Sequence, residues 1–221
     1  MVKQAAIFDS NGNIISQEIP LTVSPSGEDD LLLFKLGLQR DLRNSPLQPT
    51  KGSFFSVGVD QSAPIGEASI LMTRLRTNYS YYIPIHLTGF SKKKKTETLA
   101  FNFQGGTILG DLPPYEAFTL GGSNSVRGYD EGRLGTGRSY VQASAEYRFP
   151  VFSVISGALF FDFGSDLGTN TLAAQLLNKD GSGYGYGLGV RIQSPLGPIR
   201  IDYGINGDGD SRINFGIGER F

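Results

Sequence analysis

The 221-residue chain carries few of the residues on which catalysis or metal binding usually depends. It has no cysteine and a single histidine, His86. These counts exclude thiolate metal sites and cysteine nucleophiles, and they nearly exclude a Ser–His–Asp triad or a site with several histidine ligands. We expect no enzyme activity, no cofactor and no metal. The charged residues of the chain can form ion pairs.

Three charged residues are placed to form such ion pairs. Glu146 and Asp162 alternate with apolar neighbours on two consecutive predicted strands, so both carboxylates point from the polar face. Arg127 lies in the long connection 109–138 that precedes these strands. If that connection folds against the polar face, the guanidinium can pair with both carboxylates, bidentately with one of them. The alternative is a solvated arginine, with the two carboxylates only hydrating the polar face.

The elements that would position these residues are β-strands. Apolar and polar residues alternate with a period of two from about residue 31 to the last residue, which predicts an all-β protein. The 30 glycines, 15 phenylalanines and 10 tyrosines suit many strands joined by tight turns. Residues 1–30 are expected to be irregular or to form a partial hairpin around Asn11 and Gly12. The nine expected strands cover about 31–40, 53–61, 69–85, 97–108, 139–150, 157–164, 184–194, 198–205 and 211–221.

The length and polarity of these strands favour an antiparallel transmembrane β-barrel over a soluble β-sandwich or soluble barrel. Strands of roughly ten residues fit a tilted membrane crossing, whereas strands of soluble proteins average about five or six. Charges and glycines fill the polar faces, as in a hydrated lumen, and aromatic residues cluster near strand ends. The sequence contains neither an apolar run long enough for a transmembrane helix nor a recognisable signal peptide. A net charge of -1 argues against nucleic-acid binding.

Three motifs resemble those of one family of membrane barrels. The long connection contains the run Leu120-Gly121-Gly122-Ser123-Asn124-Ser125-Val126-Arg127-Gly128-Tyr129. A later strand contains Phe160-Phe161-Asp162-Phe163-Gly164, and the chain ends in an aromatic residue, Phe221. In this order the motifs resemble the loop-six, Phe-x-Asp-x-Gly and carboxy-terminal motifs of the BamA-like outer-membrane assembly and translocation superfamily, which carries the bacterial surface antigen barrel domain. The resemblance covers about residues 31–221, roughly the last nine strands of a sixteen-stranded barrel.

The resemblance implies a role for each motif. Arg127 would be the loop anchor, with Asp162 and Glu146 as its partners inside the barrel. Exchanging the charges of Arg127 and Asp162 would then restore the loop protection from protease that either single change removes. The other motif residues are Gly121, Gly122, Val126, Gly128 and Tyr129 in the loop and Phe160 and Gly164 in the strand.

The last strand would carry a signal that is read during insertion into the membrane. The resemblance assigns this signal to Phe215, Ile217 and Phe221. Phe215 and Phe221 would lie on the lipid-facing side of the strand. Glu219 interrupts this apolar face, at a position near the membrane interface where a charge costs little.

The resemblance also implies a location and a function. The chain would lie in a bacterial outer membrane or an equivalent plastid outer envelope, in contact with membrane lipid. It would insert or translocate client outer-membrane or secreted polypeptides. A two-partner-secretion translocator, a passive diffusion porin and a soluble β-binding domain are rival classes.

Nine strands would leave a sheet with two open edges, whose backbone groups find no hydrogen-bond partners in lipid. Three explanations remain. The chain is the carboxy-terminal part of a longer or split protein, with the barrel completed elsewhere or by another chain. It closes on itself or dimerises into a complete barrel. Or it is a truncated product without activity. We prefer these explanations in that order.

Overall fold

A computed structural model describes residues 21–87, 96–195 and 197–221 of the chain, together with the course of two short strands near the amino terminus. These strands, β1 (Ala5–Phe8) and β2 (Ile14–Ile19), pair antiparallel in a small sheet of their own. The Asn11-Gly12 turn expected between them lies outside the described residues.

Nine longer strands build one continuous antiparallel sheet. They are β3 (Leu32–Asp41), β4 (Gly52–Ala63), β5 (Met72–Ile85), β6 (Glu97–Gly110), β9 (Ser139–Pro150), β10 (Ile155–Ser165), β11 (Ser182–Ile192), β12 (Ile199–Asn206) and β13 (Ser211–Ile217). Their order in the sheet is β13-β12-β11-β10-β9-β6-β5-β4-β3. The prediction of nine strands is confirmed, although residues 69–71 and 218–221 lie outside them. The sheet is not closed, because β3 and β13 each pair on one side only.

The remaining elements lie in two long loops at one end of the sheet. The loop after β6 contains a short 3-10 helix (Pro114–Glu116) and a hairpin of β7 (Phe118–Leu120) and β8 (Gly135–Gly137). The loop after β10 contains α1 (Leu172–Leu176). No helix within the described residues is long and apolar enough to cross a membrane.

The two faces of the sheet have the polarity of a membrane barrel. On the outer face, large apolar side chains are exposed, among them Phe34 (64%), Leu36 (71%) and Phe215 (70%). On the inner face, polar side chains such as Asn102 and Gln142 are buried. A soluble sandwich would instead bury its apolar face against a second sheet. The prediction of a transmembrane barrel, present as a partial barrel, is confirmed.

Candidate functional site

The loop of residues 111–138 carries its own small apolar core. The core consists of Leu120, Val126, Tyr129 and Leu134, all of them buried. Gly122 and Val126 are joined by a backbone hydrogen bond of 3.1 Å, and Gly121 and Gly122 have φ of +106° and +101°, which L side chains rarely adopt. This core fixes the shape of the segment that presents Arg127 to the inner face of the sheet.

Arg127 is completely buried and pairs bidentately with Asp162. Its Nε lies 2.7 Å from Asp162 Oδ2, and its Nη2 lies 2.9 Å from Oδ1. The backbone N–H of Arg127 also donates to Asp162 Oδ2, at 3.2 Å. The guanidinium carbon lies 3.4 Å from the centre of the Phe160 ring, so the cation also rests on an aromatic face.

The third nitrogen of Arg127 faces two more carboxylates. Nη1 lies 2.7 Å from Glu146 Oε1 and 3.1 Å from Asp202 Oδ2. Glu146 lies opposite Phe160, two residues before Asp162 in β10, and Asp202 lies opposite Gly189 of β11. The structure therefore brings together the three charged residues that the sequence singled out.

Sequence reasoning missed several members of this charged cluster. Alternation places Asp202 on the polar face of its strand, but it does not show which charge Asp202 meets. Arg220 Nη1 lies 2.8 Å from Asp162 Oδ1, and Arg148 Nε lies 2.9 Å from Glu146 Oε2. Arg191 pairs with Asp202. Period-two alternation was the available signal for the strand residues, but only the sheet register shows which charges meet.

Glycines on the inner face of β11 and β12 make room for the loop backbone. A Cβ at Gly185 would overlap the carbonyl oxygen of Arg127, and a Cβ at Gly204 would lie 2.8 Å from the Gly128 nitrogen. The strand motif contributes in the same way, since a Cβ at Gly164 would lie 2.8 Å from Val126 Cγ2. Glycines occupy the alternate positions 183, 185, 187 and 189 of β11. Glycine at successive inward positions is the sequence signal for a docking surface.

A second set of contacts fixes the first part of the loop. Arg74 on β5 pairs with the Glu116 carboxylate, and its Nη2 also donates to the Glu116 carbonyl oxygen at 2.7 Å. Farther along the loop, Arg212 Nη2 lies 2.8 Å from Asp130 Oδ2. The loop thus contacts β5, β9, β10, β12 and β13 through charged groups.

The carboxy-terminal residues depart from the prediction. Phe215 and Ile217 are both 70% exposed on the outer face, as expected, but β13 ends at Ile217. The Phe221 ring lies 6.4 Å from the Tyr82 ring and 5.1 Å from the Arg148 guanidinium. The prediction that Phe221 is on the lipid-facing side of the strand is wrong. The chain turns at Gly218, with φ of +84°.

Two charged residues explain why the tail turns inward. Glu219 Oε2 lies 3.3 Å from Arg148 Nη1, and Arg220 reaches Asp162 and the Ser125 carbonyl oxygen. An inward position gives each charge an opposite partner, which lipid cannot supply. Glu219 therefore points inward and is not part of the outer, apolar face of the strand.

Within the described residues, no group of three or more acidic or histidine side chains is arranged to hold a metal ion. The acidic turn after β12 is stabilised by hydrogen bonds from its backbone to the side chain of Asn206. Asn206 Oδ1 accepts hydrogen bonds from the backbone N–H of Asp208, at 3.0 Å, and of Asp210, at 2.9 Å.

An apolar outer face, a charged inner face and a loop paired to that inner face define a partial outer-membrane β-barrel. The Omp85 superfamily domain matches residues 2–221, and the chain belongs to this superfamily. It is accordingly a protein of an outer membrane or outer envelope.

Two relatives from Arabidopsis thaliana show the extent of the similarity. The chain is 37% identical to outer envelope protein 80, chloroplastic, over 99% of its own length and 29% of that protein. It is 31% identical to outer envelope protein 39, chloroplastic, over 95% of its own length and 56% of that protein. The chain therefore spans between a quarter and three fifths of these relatives.

A solved structure shows the same fold. BamA from Haemophilus ducreyi lacking POTRA domains 1-3 is similar with a TM-score of 0.63 and 18% sequence identity. The similarity covers 84% of this chain and 41% of the BamA chain.

Proposed function

We propose that this chain forms the carboxy-terminal part of an outer-membrane or outer-envelope pore that inserts or translocates polypeptides, with Arg127 as the anchor of a loop inside the barrel. The observation that carries the proposal is the complete burial of Arg127 against Asp162 on the inner face. A loop held there by charge pairs, without covalent bonds, obstructs the barrel and can be displaced by a polypeptide. A passive diffusion pore has no need for this arrangement.

The open edge of β13 supports a role in handling client strands. The backbone N–H and C=O groups on the free edge of β13 have no partner strand within the described sheet. An extended polypeptide can satisfy such groups by adding as a strand, and the main-chain hydrogen bonds then supply affinity with little dependence on sequence. In our proposal, clients thread past the anchored loop or leave sideways along this edge.

The direction of the strands favours completion of the barrel by strands from outside the described sheet. Neighbours among the nine strands are antiparallel, so β3 and β13 run in the same direction. Closure of the sheet on itself, or pairing with a second copy about the barrel axis, would create parallel seams. An odd number of added strands closes the barrel with antiparallel pairing throughout. Seven added strands would give the sixteen that the family resemblance implies.

Electrophoresis of the membrane-extracted chain tests this completion. A closed barrel resists SDS and migrates differently before and after boiling. We expect no such shift for the 23.9 kDa chain alone, and a shift only for a larger species that contains additional strands. A heat-shifted species with the mass of one or two copies would contradict our proposal and establish independent closure.

Reconstitution of the completed barrel in liposomes tests the pore function. We expect an unfolded β-barrel client to become protease-protected only in liposomes that contain the completed barrel. A rigid diffusion porin would instead give steady, size-limited solute flux and no client protection. Export of one dedicated substrate, with no activity on other clients, would favour a two-partner-secretion translocator.

A further inference from the structure

The turn between β9 and β10 exposes three apolar side chains, and we call these residues the apolar turn. Val151, Phe152 and Val154 are 49%, 67% and 50% exposed, and no residue from 149 to 155 is charged. Single exposed apolar residues are common on protein surfaces, whereas several adjacent ones mark an interaction surface. The apolar turn is therefore a candidate for contact with another molecule.

Backbone hydrogen bonds fix the shape of the apolar turn. The N–H groups of Val151 and Phe152 both donate to the Ile155 carbonyl oxygen, at 3.0 and 2.9 Å. The Val154 carbonyl oxygen accepts from the N–H of Gln193 at 2.9 Å, which joins the turn to the residue that follows β11. A turn fixed in this way keeps its apolar side chains exposed unless something outside the described residues covers them.

The apolar turn continues the lipid-facing surface of the barrel. Alternation along β9 places Tyr147 and Phe149 on the outer face, and Val151 is the next residue in that series. The Tyr147 and Phe149 rings are 5.3 Å apart, and a Cβ at Gly157 of β10 would lie 2.5 Å from the Phe149 ring. Aromatic residues near strand ends form the girdle of a membrane barrel at the membrane interface. The apolar turn therefore adjoins this girdle directly.

The turn between β3 and β4, at the same end of the sheet, has a different composition. It carries two basic residues, Arg43 and Lys51, and Arg43 pairs with Asp41 at 2.7 Å. Charged groups are costly to remove from water, so this turn favours an aqueous position. The difference between the two turns shows that an apolar surface is not a general property of this end of the sheet.

We propose that the apolar turn inserts into the headgroup region of the membrane and anchors one side of the barrel to lipid. Lipid is the partner that continuity with the outer face indicates, and an uncharged turn enters the interface without removing a charge from water. The inference rests on the lipid-facing surface of the fold and goes beyond the proposed handling of polypeptide clients.

Spin labels at single cysteines test the depth of the apolar turn, because the chain has no cysteine of its own. The full chain is labelled at Val154→Cys and reconstituted as the completed barrel in phosphatidylcholine bilayers. Oxygen concentrates in lipid and a nickel chelate stays in water, so the ratio of their collision rates with the label reports depth. We expect a ratio several-fold above that at Lys51→Cys, the control in the turn after β3, and closer to that at Phe161→Cys on the outer face.

Variants at Phe152 test the anchor itself, with the label kept at position 154. Phe152→Asp should lower the ratio toward the value at position 51, because a carboxylate disfavours insertion, whereas Phe152→Leu should leave the ratio unchanged. An unchanged ratio in Phe152→Asp, or equal ratios at positions 154 and 51 in the parent, would overturn the proposal. Low collision rates with both reagents at position 154 would also overturn it, because they would show that a protein surface covers the turn. A low ratio at position 161 would contradict the lipid-facing surface itself, and the proposal with it.

Discussion

Arg220 and Arg127 bind the same carboxylate: Arg220 Nη1 lies 2.8 Å from Asp162 Oδ1, and Arg127 Nε lies 2.7 Å from Asp162 Oδ2. One residue of β10 therefore joins the long loop to the carboxy-terminal tail. Arg220 also donates to the Ser125 carbonyl oxygen, so the tail contacts the loop directly. The loop and the tail are stabilised as one unit on the inner face.

Arg127→Met should destabilise the protein and free the loop. The change leaves Glu146, Asp162 and Asp202 buried without their shared cation, at a cost of about 3–5 kcal/mol. Urea unfolding followed by tyrosine fluorescence measures this loss, and limited proteolysis measures exposure of residues 111–138.

Two further variants serve as comparisons for Arg127→Met. Arg127→Lys keeps the charge but loses the bidentate geometry, and it should fall between the parent and Arg127→Met. Arg212→Met removes a pair whose side chains are 52% and 58% exposed, so its effect should stay within about 1 kcal/mol. Equal protease sensitivity of Arg127→Met and Arg212→Met would exclude Arg127 as the anchor.

Exchanging the charges of Arg127 and Asp162 should not restore loop protection, contrary to the expectation from the sequence. An aspartate at position 127 would face Glu146 and Asp202, and an arginine at position 162 would face Arg220. Like charges at buried positions repel strongly. The double variant should therefore be at least as protease-sensitive as either single variant, and full recovery of protection would show that Glu146 and Asp202 contribute little.

Gly185→Ala should displace the loop without changing any charge. The new methyl group would overlap the Arg127 carbonyl oxygen, and overpacking of this kind costs about 1–3 kcal/mol. Limited proteolysis of residues 111–138 should show the displacement. Gly37→Ala is the control, because its methyl group would meet only the Val57 carbonyl oxygen at 3.7 Å. The glycine docking surface is disproved if the two variants are equally protected.

Glu116→Gln should loosen the first part of the loop and leave Arg127 in place. Arg74 and Glu116 are each 16% exposed, so their pair contributes on the order of 1 kcal/mol. Chymotryptic cleavage after Tyr115 and Phe118 should become several-fold faster, while tryptic cleavage after Arg127 stays slow. Mass spectrometry of the fragments distinguishes the chymotryptic cleavages from the tryptic cleavage. Equal acceleration of both kinds of cleavage would contradict the prediction and would mean that the loop opens as a single unit.

The alkaline titration of Tyr115 should report the contact between the long loop and the amino-terminal segment. Tyr115 Oη donates a 3.0 Å hydrogen bond to Asp29 Oδ2. Burial, followed by this hydrogen bond and the charge of Asp29, raises the pKa of Tyr115 from 10.0 to about 12. A raised folded-state pKa means that the contribution to stability is complete below about pH 10 and is lost as the pH rises to about 12.

Phenolate absorbance, taken as the difference between the parent and Tyr115→Phe, measures this pKa. Asp29→Asn should move the titration of Tyr115 back toward 10, because it removes the charged acceptor. A pKa for Tyr115 that does not change in Asp29→Asn would show that the two residues are not in contact.

The sequence alone determined the strands, the polarity of their faces and three members of the charged cluster. This was possible because pleating alternates side chains between the two faces regardless of distant contacts. Alternation therefore places Glu146 and Asp162 on the polar face without knowledge of the tertiary structure. The loop-motif resemblance identified Arg127 as their partner, but local pattern could not show how closely the three side chains meet.

The tertiary structure decided which of the polar residues meet. Arg127 and Asp202 are 75 residues apart, Arg74 and Glu116 are 42 apart, and Arg220 and Asp162 are 58 apart. Such contacts depend on strand register, sheet curvature and the path of the loop, and no short-range periodicity encodes these. The inward turn of Phe221 has the same origin. Its neighbours Glu219 and Arg220 find opposite charges on distant strands, and that gain outweighs the apolar preference of one terminal ring.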